Sequence, residues 1–234
     1  MGDRLGGATT RRPLHVFWIL DVSGSMARDG KIQALNTAIE ETLPLLREDA
    51  AENPQAQVLV SALVFATSPR WTGPVEAPVE TLRWEPVAAV PQGLSELGLA
   101  VRSLVEPMRR MEQEGRGYPP VVVLVSDGQP TSLAGPRVED ALEEVLRLPW
   151  GRASVRTAVG IGRDADMAAL ASFTGDPSRP PLRADDPEQL VAMVQWMSRY
   201  ASRVATVGAD GRAIDPHPYL PVGRTAGRWE VGPS

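Results

Sequence analysis

Apolar runs that alternate with amphipathic helical stretches predict an α/β chain. The expected fold is a three-layer α/β/α sandwich on a mostly parallel sheet, with one short antiparallel edge strand. Leu14 to Leu20 is apolar throughout except at His15, the pattern of a strand buried on both faces. From Gly30 to about Glu48, Ile32, Leu35, Ile39, Leu43 and Leu46 recur at steps of three and four, which places them on one face of a helix. The same alternation then repeats along the chain to about residue 204.

The elements follow in order. Pro44 lies inside the first helix and is expected to kink it or to start its last segment. Val58 to Ala66 is the second strand. Residues 69–91, rich in Pro and Trp, are expected to hold a short edge strand near Trp71 to Val75 and then a long loop. Leu94 to Met111 reads as one helix, with Leu97, Val101, Leu104, Val105, Met108 and Met111 on one face. Val121 to Val125 is a strand between Pro119-Pro120 and Asp127-Gly128. Pro136 fits the first position of a helix carrying Val138, Leu142, Val145 and Leu146. Val155 to Ile161 is the next strand, followed by a short helix over Asp166 to Phe173 and a brief strand near Leu182. A closing helix over Pro187 to Val204 turns Leu190, Met193, Val194, Met197 and Val204 inward. Residues 1–12 read as a flexible lead and 205–234, rich in Pro and Gly, as an extended tail, so one domain over 13–204 is expected. There is no internal repeat.

Bulk properties narrow the function. The 234 residues, 43% of them hydrophobic, suffice for one sizeable core. A formal net charge of −5 argues against a nucleic-acid footprint. With no cysteine, disulfides, zinc–cysteine sites, iron–sulfur clusters and thiol nucleophiles are excluded. Met1 to Arg12 lacks the apolar core of a signal peptide, and no apolar run is long enough to span a bilayer. A cytoplasmic, monomeric protein without membrane contact is the expectation.

The chemistry concentrates in Asp21-Val22-Ser23-Gly24-Ser25, at the end of the first apolar run. One carboxylate and two hydroxyls, spaced two apart around a Gly turn, present oxygen ligands suited to a hard divalent cation. In an α/β sheet the binding crevice lies at the carboxyl ends of the strands, where Asp21 falls and where Asp127 falls as well.

This DxSxS pattern, with a distant Asp127-Gly128 after another strand, resembles the metal-ion-dependent adhesion site of the von Willebrand factor A (VWA) family, whose fold is Rossmann-like. The resemblance covers roughly 13–204. It implies that Ser23 and Ser25 ligate the metal directly, that Asp21 holds coordinating water, and that Asp127 is the second aspartate. The family also places a threonine in a Gly-Gly-Thr-x-x-Gly-x-Ala-Leu run. Here the run is Gly93-Leu94-Ser95-Glu96-Leu97-Gly98-Leu99-Ala100-Val101, and Ser95 takes the threonine position without the methyl that fixes its rotamer. The implied cofactor is Mg2+, with Mn2+ or Ca2+ as alternatives. Two carboxylates and neutral hydroxyls leave an open coordination position, which a Glu or Asp of a partner protein would fill. The implied protein is a non-enzymatic interaction module. Arg11-Arg12-Pro13-Leu14, Leu46-Arg47-Glu48-Asp49 and Gln195-Trp196-Met197-Ser198 look like the TerY-type branch of bacterial tellurium-resistance and stress systems. That likeness implies a protein kinase or PP2C-like phosphatase as partner.

Other readings compete. Asp21 at the end of the first strand also suits a Mg2+-dependent phosphohydrolase of the haloacid dehalogenase type, but Ser23 stands where a general acid is needed. Ser95 could serve only as a helix N-cap. Ser126 and Thr131 could bond within their turn or support the site from behind. Gly160-Ile161-Gly162-Arg163-Asp164-Ala165, with Asp185 and Asp186 downstream, approximates a dinucleotide fingerprint but comes late in the chain. Gly24 to Lys31 fails as a phosphate loop because Ile32 replaces the required hydroxyl. His15 is expected to be a satisfied core histidine, and His217 lies in the tail. Trp71 and Trp84 are candidates for a partner surface, and Glu40-Glu41 and Glu143-Glu144 for solvated helix faces.

Overall fold

A computed structural model describes residues 11–127 and 135–208. Six strands form one sheet in the order β3-β2-β1-β4-β5-β6. They are β1 (Arg12–Asp21), β2 (Ala56–Phe65), β3 (Pro69–Pro78), β4 (Val121–Ser126), β5 (Val155–Ile161) and β6 (Leu182–Ala184). Every neighbouring pair is parallel except β2 with β3. The three-layer α/β sandwich expected from the alternation is the fold observed.

β1 is buried along almost its whole length because helices cover both faces. Alternate side chains point to opposite faces of a strand. Leu14, Val16, Trp18 and Leu20 therefore join one core and Phe17 and Ile19 the other. The first core lies under α1 (Lys31–Glu52) and α7 (Pro187–Gly208), the second under the helices between β3 and β6. Asp49 of α1 accepts two hydrogen bonds from Arg199 of α7 at 2.7 and 2.8 Å and one from Arg203 at 3.1 Å. Burial alone would raise the Asp49 carboxyl, but these two guanidiniums outweigh it and hold its pKa below the usual value. Trp18 Nε1 donates to Ser198 Oγ at 3.4 Å, a second tie to α7.

Several expectations need correction. The helix read over Leu94 to Met111 is two, α2 (Leu97–Arg102) and α3 (Val105–Glu114). Pro107 explains the break: its ring cannot accept a continuous helix through the Ser103 carbonyl, four residues back. The edge strand is ten residues long, not five. Pro69 and Pro78 fall outside the strand expected near Trp71 to Val75, but an edge strand tolerates residues without a donor on its open side. Glu76 in β3 adopts a left-handed φ of 59°, and a bulge between Val60 and Ala62 faces it. Pro136 is not at a helix start; α4 (Val138–Leu146) begins two residues later, and Pro149 instead opens the short α5 (Pro149–Ala153). α1 runs through Pro44 unbroken, although Pro44 cannot donate to Glu40. α6 (Met167–Thr174) is capped by Asp166, which accepts from the amides of Ala168 and Ala169. His15 is a core residue stacked on Phe17, but its Nδ1 has no hydrogen-bond partner among the described residues; burial lowers its pKa and favours the neutral ring.

Residues 82–96 form a strap without helix or strand, held to the domain by polar contacts. Asn36 of α1 donates to the Val87 carbonyl and accepts from the Val87 amide, both at 2.8 Å, and accepts from Trp84 Nε1 at 3.1 Å. Arg47 donates to the carbonyls of Val79 and Leu82. Trp84 is thereby half-buried in the domain, and Trp71, also half-buried, packs on Phe17. Thr131 and His217 lie outside the described residues, as does the tail beyond Gly208. Among the described residues no helix is long and apolar enough to cross a membrane.

Candidate metal centre

The parallel pairing of β1 with β4 sets Leu20 opposite Val125. Asp21 and Ser126 therefore emerge side by side at the carboxyl end of the sheet, with Asp127 next. After Asp21 the chain enters a single 3-10 turn, Gly24–Ala27, in which the Met26 amide donates to the Ser23 carbonyl. The strap locks this turn: the Val90 amide donates to the Val22 carbonyl at 2.7 Å and the Gly24 amide to the Gly93 carbonyl at 3.0 Å. Position 24 requires glycine because a Cβ there would stand 2.8 Å from the Pro91 carbonyl oxygen. The strap then leads directly to Ser95, whose place at the site follows from this path.

Asp21 is fully buried and wrapped by donors. Its Oδ1 accepts from the Ser23 amide at 2.8 Å; its Oδ2 accepts from Ser126 Oγ at 2.6 Å and Ser95 Oγ at 3.2 Å. Burial pushes the Asp21 carboxyl up; the bonds from Ser126 and Ser23 oppose this and the nearby Asp127 adds to it. Ser23 Oγ and Ser25 Oγ share a hydrogen bond at 3.1 Å. All five residues singled out in the sequence thus have defined places at this end of the sheet. Asp21, Ser23, Ser25 and Ser95 form one chain of hydrogen bonds, and Asp127, also fully buried, follows Ser126. Ser95 does not cap a helix, since Glu96 holds the N-cap position of α2.

Two side chains were underrated or missed. Ser126 makes the shortest contact to Asp21 rather than serving only its own turn. Lys31, the first residue of α1, is buried with its Nζ 3.5 Å from Asp127 Oδ2 and 3.4 Å from Asp164 Oδ1. A signal for it was present in the sequence. A lysine in the first turn opposes the helix dipole, and that turn carries no acidic residue, so its charge must be met elsewhere. The Asp166 amide also donates to the Asp127 carbonyl at 2.9 Å, which ties the loop after β5 to the site. The Gly-x-Gly at this loop is structural: a Cβ on Gly160 would meet Met167 at 2.8 Å, and Gly162 has a φ of 87°.

The donor set fits a divalent cation. Among the described residues no group of three or more His, Cys, Asp or Glu side chains could hold a metal, so a centre here must use hydroxyls. Adjacent ligands of an octahedral ion bonded at 2.0–2.1 Å lie about 2.9 Å apart. The Ser23–Ser25 oxygen separation of 3.1 Å is close to that edge.

No protein-family model and no curated protein sequence matches the chain. Solved structures do. It is similar to a von Willebrand factor type A protein from Catenulispora acidiphila, with TM-score 0.63 and 16% identity over 82% of this chain and 43% of that one. The chain has the von Willebrand factor A fold. A second similar structure is proximal thread matrix protein 1 of the mussel byssus, with a zinc-occupied MIDAS motif (TM-score 0.59, 14% identity, 83% of this chain and 46% of that one). A third is BatB from Bacteroides thetaiotaomicron (TM-score 0.52, 17% identity, 78% and 96%). The chain spans less than half the length of the first two. On the VWA fold, Asp21 and Asp127 occupy the ends of adjacent central strands, the crest at which open α/β sheets bind ligands.

Proposed function

We propose that this chain is a metal-dependent protein-interaction module that grips a partner's acidic side chain through a divalent cation. One observation carries the reading: Asp21, Ser23, Ser25 and Ser95 form a hydrogen-bonded set of oxygen donors, with Asp127 adjacent, at the crest of a VWA fold. Ser23, Ser25 and Ser95 would supply hydroxyl ligands, while Asp21 and Asp127 supply charge. The metal contributes a Lewis-acidic position open to an outside carboxylate. Mg2+ is the default for an oxygen-only site, with Mn2+ or Ca2+ as alternatives. The zinc in the byssal protein's motif belongs to that protein and supports a divalent ion in general.

The wrapping of Asp21 speaks against a phosphohydrolase. Asp21 has no exposed surface and three donors hold its oxygens, so the residue is shielded from the in-line approach of a phosphate. A bacterial stress-system partner, a protein kinase or PP2C-like phosphatase, belongs to the same proposal and rests on the TerY-type likeness alone.

Capture of binding partners with and without chelator, alongside Asp21→Ala, tests the module. Calorimetry should show uptake of Mg2+ or Mn2+ by the wild type and at least about a hundredfold weaker uptake by Asp21→Ala. Partner capture indifferent to both chelator and substitution would overturn the reading, as would metal-dependent phosphatase turnover lost in Asp21→Ala.

A further inference from the structure

Lys31 is an expensive residue to place where it is. Only 9% of its side chain is exposed, it opens α1 against the helix dipole, and its ammonium faces the fully buried Asp127. Its slot is built around it. Gly162 leaves the space, since a Cβ there would stand 3.2 Å from Lys31 Cε, and Asp164 closes the outer side at 3.4 Å. Asp164 is largely exposed, so solvent screens its charge, while the contact with Asp127 is dry.

The placement has a consequence for any cation at the centre. Two buried carboxylates, Asp21 and Asp127, already balance a divalent ion. Lys31 adds one positive charge that they do not cover, and among the described residues the screened Asp164 is the one carboxylate on its other side. Resting on the metal-dependent reading above, we propose that Lys31 is a built-in counter-cation of the metal centre. In the metal-free protein it neutralises Asp127. When a divalent ion binds, it opposes that ion and leaves the loaded centre with excess positive charge, which an acidic side chain from outside relieves. Lys31 is thus a positioning and charge-setting residue that keeps metal binding loose until an anion arrives.

The test is a calorimetric titration of the full chain with Mn2+, comparing wild type, Lys31→Met and Asp164→Asn. Lys31→Met should bind Mn2+ more tightly, on the order of tenfold, because the opposing charge is gone. Asp164→Asn should bind it about threefold more weakly, because Lys31 then bears wholly on Asp127. A lysine that merely scaffolds Asp127 would give the opposite sign for Lys31→Met. Metal-free melting provides a second readout: Lys31→Met should melt lower than wild type and recover on adding Mn2+. Weaker binding by Lys31→Met, with the wild type still binding, overturns the role of Lys31 and leaves the metal reading standing. Absence of uptake by all three proteins at millimolar Mn2+ overturns both. If Lys31→Met does not fold, Asp164→Asn decides alone, and unchanged or tighter binding by it sinks the proposal.

Discussion

Asp21 and Asp127 stand at the ends of neighbouring parallel strands, both without exposed surface, and their charges are met by different means. Around Asp21 the protein supplies three neutral donors: the Ser23 amide and the hydroxyls of Ser126 and Ser95. Facing Asp127 it supplies the ammonium of Lys31. Neutral dipoles solvate a carboxylate without cancelling it, which leaves Asp21 with its pKa raised by burial. An ammonium cancels charge outright, but at the cost of a second buried ion. The two solutions make the centre receptive to a cation on one side and guarded against it on the other.

Substitutions can break this contrast, and the largest effect belongs to the charged side. Asp127→Asn leaves the Lys31 ammonium, among the described residues, with the exposed Asp164 alone. It should cost about 3 kcal/mol in urea unfolding of the metal-free protein. Ser126→Ala removes the 2.6 Å donor to Asp21 and should cost about 2 kcal/mol in the same assay. Ser95→Ala removes the longer bond at 3.2 Å and should cost about 1 kcal/mol, with metal uptake weakened about tenfold. If Ser95→Ala left metal uptake unchanged, Ser95 would belong to the Asp21 shell alone.

A third aspartate sharpens the comparison from outside the site. Asp49 is held by Arg199 and Arg203, both partly open to water, so Asp49→Asn should cost only about 1 kcal/mol after allowing for solvent screening. Its pKa is lowered in the folded state. Its contribution is therefore complete above the ordinary carboxylate range and fades as pH falls through the depressed value. Acid unfolding of wild type and Asp49→Asn should converge at low pH. A gap that persists there would mean that Asp49 acts through packing and not through charge.

Much of this architecture was legible in the sequence, for identifiable reasons. β1 and β4 were legible because strands buried on both faces are almost continuously apolar. Asp21, Ser23 and Ser25 were legible because their spacing is local. Ser95 was placed only through its resemblance to a family run; residues 82–96, whose path delivers it, have no periodicity to read. The break between α2 and α3 was signalled by Pro107 but hidden by a hydrophobic stripe that continues across it. Lys31 escaped because its partners, Asp127 and Asp164, lie far along the chain, the second 133 residues away, and meet it when the loops after β4 and β5 converge. Charge pairs between distant loops leave no periodic trace.

The flanks of the sheet carry a last implication. One margin is β3, interrupted by Pro69, Pro74, Pro78 and the left-handed Glu76; the other is β6, three residues long and preceded by Pro180-Pro181. Neither presents an unbroken ladder on which a foreign strand could extend the sheet. Recruitment of another polypeptide by backbone pairing is thereby discouraged at both sides, and so is self-propagating stacking of copies.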